Sequence, residues 1–371
     1  MKRNPLLELQ SIGQSIWIDF ISRGIISSGE LQRMIEEDGV SGVTSNPSIF
    51  EKAITKSHDY DDAIHTLTLQ KKTTDEIYQY LTVEDIQMVA DLLRPTYDRT
   101  DGQDGFVSLE VSPALAHDTQ GTIHEARMLW SLVDRPNAMI KVPATREGVP
   151  AIKQLTGEGI NVNITLLFGL PRYQEVVNAY LEGLEILASK GGNLKHVASV
   201  ASFFLSRIDV LLDPLFEKKE SVASPEANIA SMLHGQVAIA SAKVAYQLYK
   251  GTFNGDRFAR LANKGARTQR LLWASTSTKN PMYSDTKYIE PLIGPNTINT
   301  LPVETLAAYR DHGQQNISQA YHVLNKLSLI GIDLDKATQQ LEDEGVEKFV
   351  AALDRLMHSL KEKQDTLQTT V

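Results

Sequence analysis

The sequence predicts an α/β protein of the (β/α)8 TIM-type barrel class, with extra helices and an enlarged connection between its sixth and seventh strands. Three observations carry this expectation. Eight short β-rich apolar runs alternate with longer helical patterns, no Pro-, Gly- or Ser-rich linker divides the chain, and polar residues interrupt or end nearly every run. Eight is the number of parallel strands that closes a barrel covered by helices. A doubly wound open sheet is the runner-up. It lacks its usual support, because no G-x-G-x-x-G follows the first run and no G-x-x-x-x-G-K-[ST] occurs.

The runs follow in order. IWIDF (16–20) opens the series and a helix-like stretch leads from it to Glu37; GVTSN (42–46) ends on an Asn46-Pro47 turn signal. A long helical region, several helices in number, spans about Ser48 to Tyr97, and after the loop TDGQDG comes FVSLEV (106–111). A helix with Arg127 and Trp130 leads to AMIKVP (138–143), and one from about Arg146 to Leu155 leads to INVNITLLF (160–168). Pro171 is placed to open the next helix, which runs to about Ser189. HVASVAS (196–202) and RLLWAST (270–276) are the sixth and seventh runs, separated by a long helical crossover, and NTINTLP (296–302) is the eighth. After Leu301 the chain reads as helical. The expected organisation is one barrel domain over 1–371, with 360–371 (ending KEKQDTLQTTV) as a frayed tail.

Composition narrows the function. A chain of 371 residues with 42% apolar residues suits one large α/β core. There is no cysteine, which excludes disulfides, thiolate nucleophiles and Cys-ligated zinc together. The nine histidines show no HxxxH or HExxH spacing, so neither a metal nor another cofactor is expected. The formal charge of −9, without a Lys/Arg run, argues against nucleic acid as a partner. No apolar run reaches membrane-spanning length, and Pro5, Glu8 and Gln10 interrupt the N-terminal stretch where a signal peptide would need an apolar core. A cytoplasmic enzyme is the expectation, with homo-oligomerisation left open.

The polar residues in the apolar runs carry the chemistry. Asp19, Asn46 and Glu110 end the first three runs; Lys141 lies in the fourth, Asn163 and Thr165 in the fifth, Ser202 ends the sixth and Ser275 comes late in the seventh. In a barrel these positions converge at the C-terminal mouth. Charges there cost several kcal/mol unless paired, so Asp19, Glu110 and Lys141 explain one another better than each explains itself. A lysine desolvated between Ile140 and Val142 favours the neutral amine, which attacks a ketone to form an imine; the protonated imine is an electron sink for C–C cleavage. Asp19 and Glu110 are the acid/base candidates, one acting directly and one through a water that Thr165 would hold. Plainer readings stand beside these: Lys141 snorkelling to a carboxylate at the strand end, Asp19 capping the next helix, Glu110 pairing with Arg127. Arg207, Ser275 and Lys279 form a cationic, hydroxyl-bearing set suited to a phosphate monoester, although Lys279 taken alone reads more readily as a surface residue.

Five motifs in order, GVTSNPSIF (42–50), SLEVSP (108–113), MIKVPAT (139–145), INVNITLLF (160–168) and ASFFLSRID (201–209), resemble the strand motifs of transaldolases. The resemblance runs from Trp17 to about Pro302. It implies a Schiff-base barrel of the pentose phosphate pathway that carries dihydroxyacetone from sedoheptulose 7-phosphate to glyceraldehyde 3-phosphate, giving erythrose 4-phosphate and fructose 6-phosphate. It also implies that Lys141 forms the imine, Asp19 exchanges the C4 hydroxyl proton, and Glu110 and Thr165 hold the catalytic water. Asn46 and Asn163 would hold sugar hydroxyls, Ser202 the dihydroxyacetone end and Arg207 the phosphate.

One position departs from the pattern. Many members carry Arg two residues after the seventh-strand Ser, whereas here Ala274-Ser275-Thr276-Ser277-Thr278-Lys279 puts a lysine two residues further on. The length and the long crossover resemble the larger bacterial branch. Fructose 6-phosphate aldolases of the same superfamily are the nearest rival. They are shorter and resemble one another in having Gln at the place of Glu110 and Tyr at that of Phe204. A catalytically silent barrel used for binding is the rival from another class.

Overall fold

The computed structural model describes residues 4–222, 225–314 and 323–369. Eight parallel strands, β1 (Gln14–Ile18), β2 (Val40–Thr44), β3 (Phe106–Glu110), β4 (Ala138–Pro143), β5 (Val162–Leu167), β6 (Ser199–Phe204), β7 (Arg270–Ala274) and β8 (Thr297–Leu301), form a closed barrel in sequence order. Closure comes from β1 pairing with β8 over the whole of Gln14–Ile18. Helices follow the strands and bury the outward faces. The expected barrel is therefore the observed one, and the open-sheet runner-up falls.

Strand alternation explains how such apolar runs tolerate polar residues. Successive side chains point to opposite faces, so Ile140 and Val142 go to the helical layer while Lys141 goes inside. The interior fills in the same way: Trp17 lies over Gly42, where any Cβ would fall 2.3 Å from its indole ring. Only glycine fits there, and it leaves room for the large, fully buried Trp17 ring.

The enlarged connection between β6 and β7 comprises helices Ser206–Glu220, Pro225–Leu233, Val237–Phe253 and Asp256–Ala262. Its buried carboxylates hold the loop between β7 and β8. Asp209 accepts hydrogen bonds from Lys287 Nζ (2.9 Å), Tyr288 Oη (2.8 Å) and Ala238 N (2.9 Å). Asp213 accepts from Tyr283 Oη (2.7 Å) and Gly235 N (2.8 Å). The crossover thus braces the loop that carries Ser277 and Lys279.

Several boundaries differ from expectation. β6 starts at Ser199, after a short 3-10 turn over Leu194–His196, and continues through Phe204, so Ser202 is inside the strand and Phe204 ends it. β2 stops at Thr44, and Asn46 caps the helix Pro47–Thr55 instead of ending a strand. The expected frayed tail is helical: Leu334–Thr369 is one helix, and only Thr370 and Val371 of that tail lie outside the described residues. Leu356, Leu360 and Gln364 are buried at four-residue spacing. Gln364 bonds Lys72 O and Thr74 Oγ1, each at 2.9 Å, and Lys363 reaches Asp61 at 2.7 Å. Those contacts pin a polar stretch that has little helical reason of its own. Of the helical stretch expected after Leu301, residues 315–322 lie outside the described residues. Among the described residues, no helix is long and apolar enough to cross a membrane.

Candidate active site

The strands' C-terminal ends open into a cavity of about 770 Å3 lined by Asp19, Asn46, Lys141, Thr165, Ser202, Phe204, Arg207, Ser275 and Lys279. Nine of the eleven residues singled out from sequence meet there. Glu110 and Asn163 stand behind it, each bonded to or paired with a residue that does line it.

Lys141 is buried, not snorkelling. Its Nζ donates to Ser45 O at 2.8 Å and lies 3.0 Å from Glu110 Oε2, with side chains 4% and 5% exposed. Burial raises the Glu110 carboxyl above its ordinary range, against the pull of the Lys141 charge. A proton can therefore pass from the ammonium to Glu110 without leaving a bare charge pair, which yields the nucleophilic amine. Arg127 makes its ion pair with Glu158, so the plainer reading of Glu110 falls.

Asp19 follows β1 and is anchored from both sides. Its backbone N donates to Leu301 O at 2.8 Å, and its Oδ1 accepts from Thr44 Oγ1 at 2.6 Å. Thr44 Oγ1 also lies 2.9 Å from Thr300 Oγ1. The helix at Arg23–Ser27 is capped by Ser22, which removes the capping role considered for Asp19. Burial raises the Asp19 carboxyl, opposed chiefly by Lys141 and then by the Thr44 hydrogen bond. A carboxyl held up in this way is suited to exchange a proton with a sugar hydroxyl.

Thr165 sits beside an irregularity that the sequence did not reveal. The β5–β6 register shifts between Ile164 and Leu167, and Leu166 takes a left-handed φ of 53°. Such a bulge turns side chains at a barrel rim, and the shifted step includes Thr165 itself. The Thr165 hydroxyl is buried with no hydrogen-bond partner among the described residues, so a water or a substrate atom must satisfy it. Beneath it, Asn163 donates to Ser108 Oγ (2.9 Å) and accepts from Ser202 Oγ (2.7 Å), which orients Ser202. Asn46 lines the cavity and uses its side-chain oxygen to accept from Ile49 N at 3.0 Å, so its amide nitrogen is the group left to donate.

Arg207 lies in a cage of rings. Its guanidinium carbon is 5.5 Å from the Phe204 ring and 5.7 Å from that of Phe349, and Nη1 is buried without a hydrogen-bond partner among the described residues. Ser275, at φ 54°, meets Ser206 Oγ at 2.8 Å. Lys279 is exposed and donates to Ser277 Oγ. Sequence reasoning missed Phe349, Thr44, Ser45 and Ser277. Phe349 comes from the C-terminal helix, and no local pattern ties that helix to the barrel mouth.

The arrangement can form an imine, move protons on either side of it and hold an anion at one end. Residues 16–360 match the family model described as transaldolase/fructose-6-phosphate aldolase. The chain is 47% identical to the transaldolase of Trichodesmium erythraeum over 98% of both chains. It is 48% identical to the transaldolase of Thiobacillus denitrificans, over 95% of this chain and 99% of that one. It is 46% identical to transaldolase 2 of a Nostoc species, over 98% of both.

Proposed function

Because the chain belongs to the transaldolase/fructose-6-phosphate aldolase family, we propose that it is a transaldolase using Lys141 as its imine lysine. The amine attacks the ketone of sedoheptulose 7-phosphate or fructose 6-phosphate, and Glu110 and Thr165 manage the water lost from the carbinolamine. Asp19 takes the proton of the C4 hydroxyl as the C3–C4 bond breaks, the imine receives the electron pair, and the aldose phosphate departs. The dihydroxyacetone enamine stays on Lys141 until an acceptor aldehyde phosphate arrives. Ser202 and Asn46 face its hydroxyls, and Arg207 with Ser275 and Lys279 takes the phosphate. Asn163 contributes through Ser202. Phosphorylated sugars are charged and stay where they are made, which supports a cytoplasmic setting.

The observation that carries this reading is the buried Lys141 amine, 3.0 Å from the Glu110 carboxyl, in the wall of the cavity that Asp19 lines. Its test is covalent trapping. Borohydride added with fructose 6-phosphate reduces the imine, and peptide mapping finds a three-carbon unit on Lys141 in proportion to lost activity. A label on another lysine, or no label, overturns the mechanism.

A further inference from the structure

The opposite end of the barrel holds a second cavity, of about 560 Å3, where the strands begin. It is lined by Ser15 at the start of β1, Asp104 and Phe106 before and in β3, and three arginines, Arg99, Arg267 and Arg270. Asp104 is the only carboxylate among its lining residues. A surplus of cations around one concavity stands out in a chain whose formal charge is −9.

The fold consumes the surplus only in part. Arg270 has a structural part: Nη2 donates to Ser15 Oγ (2.6 Å) and Thr297 O (2.8 Å), and Nη1 donates to Gln103 O (3.3 Å) and lies 3.6 Å from Asp104. Asp104 is also shared, accepting from Trp17 Nε1 at 2.8 Å and Ser41 Oγ at 3.0 Å. The Arg270 Nε is nevertheless buried without an acceptor among the described residues. Arg267 Nη2 donates to the Asp101 backbone carbonyl, but its nearest carboxylate among the described residues is Asp101 at 4.0 Å, which Lys195 already holds at 3.0 Å. Arg99 donates to Thr96 Oγ1 at 3.3 Å and pairs with no carboxylate among the described residues. The loop before β3 makes room for this set: at Gly102 (φ 73°) a Cβ would fall 3.1 Å from an Arg267 nitrogen.

We propose that this cavity is an anion site for a phosphate monoester, distinct from the catalytic mouth. Guanidinium forks match phosphate oxygens in geometry and charge. The volume falls within the range of small-molecule sites, about 300–1,000 Å3. The ligand seats between Arg99 and Arg267 with Arg270 behind it, and its charge offsets the surplus. Bound there, it ties the β6–β7 and β8 entrances to the loop before β3, so it stabilises the fold without touching the reacting atoms.

Inorganic phosphate is the probe, in the full-length chain with Arg207→Ala and Lys279→Ala to silence the mouth. Calorimetric titration at low ionic strength is expected to find one phosphate per chain, weakening as salt is added. Adding Arg99→Gln and Arg267→Gln weakens it about tenfold or more, as expected for lost charge-assisted hydrogen bonds. Arg99→Gln alone, on an exposed side chain, gives a smaller loss in the same direction and guards against misfolding. Phosphate also raises the unfolding temperature of the mouth-silenced chain but not of the chain that also lacks Arg99 and Arg267. No binding to the mouth-silenced chain, or binding unchanged by the floor substitutions, overturns the proposal.

Discussion

Lys141 Nζ and Glu110 Oε2 stand 3.0 Å apart across the β3–β4 pair, and burial raises the Glu110 carboxyl. A buried pair of this kind is costly to break by removing one member, because the other is left uncompensated. Its use lies in the proton it can move. Glu110→Gln keeps the shape and removes the acceptor. We expect imine formation, followed by borohydride trapping in a quenched time course, to slow about 10²–10⁴-fold. If trapping proceeds at the wild-type rate while cleavage slows, Glu110 and Asp19 have the reverse roles.

Asp19→Asn is expected to leave the imine trappable and to slow C–C cleavage by about 10²–10⁴-fold in single-turnover release of erythrose 4-phosphate. In the wild type the acid limb of the rate lies above the ordinary carboxylate range, because Asp19 must be ionised to accept the proton and burial raises it. Stability moves the other way. A carboxyl raised on folding favours the folded state only below its unfolded value, near 3.8, and that contribution is lost as pH rises through the folded value. Asp19→Asn therefore raises the unfolding temperature at pH 7, and the gain fades in acid. An equal or lower midpoint at pH 7 would contradict the assignment of burial as the dominant influence.

The phosphate grip is unequal. Arg207 is partly buried between Phe204 and Phe349 with an Nη1 that has no hydrogen-bond partner among the described residues, whereas Lys279 is exposed and bonded to Ser277. A charge-assisted hydrogen bond in such a place contributes about 1.5–3 kcal/mol, an exposed ion pair about 0–1. Arg207→Lys should cut kcat/KM for phosphosugars about 10–100-fold, and Lys279→Ala by less than about fivefold. Comparable losses for the two would mean that Lys279 has taken over the grip. Steady-state kinetics with fructose 6-phosphate decide it.

Legibility in the sequence followed the range of the interactions. The eight strands could be read because burial on both sides makes each a short apolar run. The polar residues inside them were conspicuous for the same reason, so Lys141, Glu110, Asp19 and Thr165 could be named. What escaped depends on distant parts of the chain. Phe349 reaches Arg207 from the C-terminal helix, Thr44 holds Asp19 from the next strand, and Lys141 uses a backbone carbonyl that has no side-chain signature. The bulge at Leu166 carries no glycine to mark it. The helix through Thr369 was hidden because its anchors, Gln364 and Lys363, are polar and bond to segments some three hundred residues earlier.

The last expectation concerns transfer against release. After the aldose phosphate leaves, a transferase must hold the enamine on Lys141 without protonating it, and an aldolase must protonate it and let it go. Phe204 closes β6 with its ring in the mouth, 5.2 Å from the Phe168 ring and 5.5 Å from the Arg207 guanidinium carbon. That apolar ring offers no proton and helps keep water from the intermediate. Fructose 6-phosphate alone should therefore give little free dihydroxyacetone, and erythrose 4-phosphate should start fast turnover. Phe204→Tyr sets a hydroxyl where the enamine waits. We expect it to raise dihydroxyacetone release severalfold and to lower the share of flux reaching sedoheptulose 7-phosphate, both read by coupled assays on one sample. The packing of Phe168 against the ring should keep the tyrosine in the same rotamer, so an unchanged partition would mean that the proton donor comes from elsewhere. Wild-type release of dihydroxyacetone as fast as transfer would make the chain an aldolase of this family.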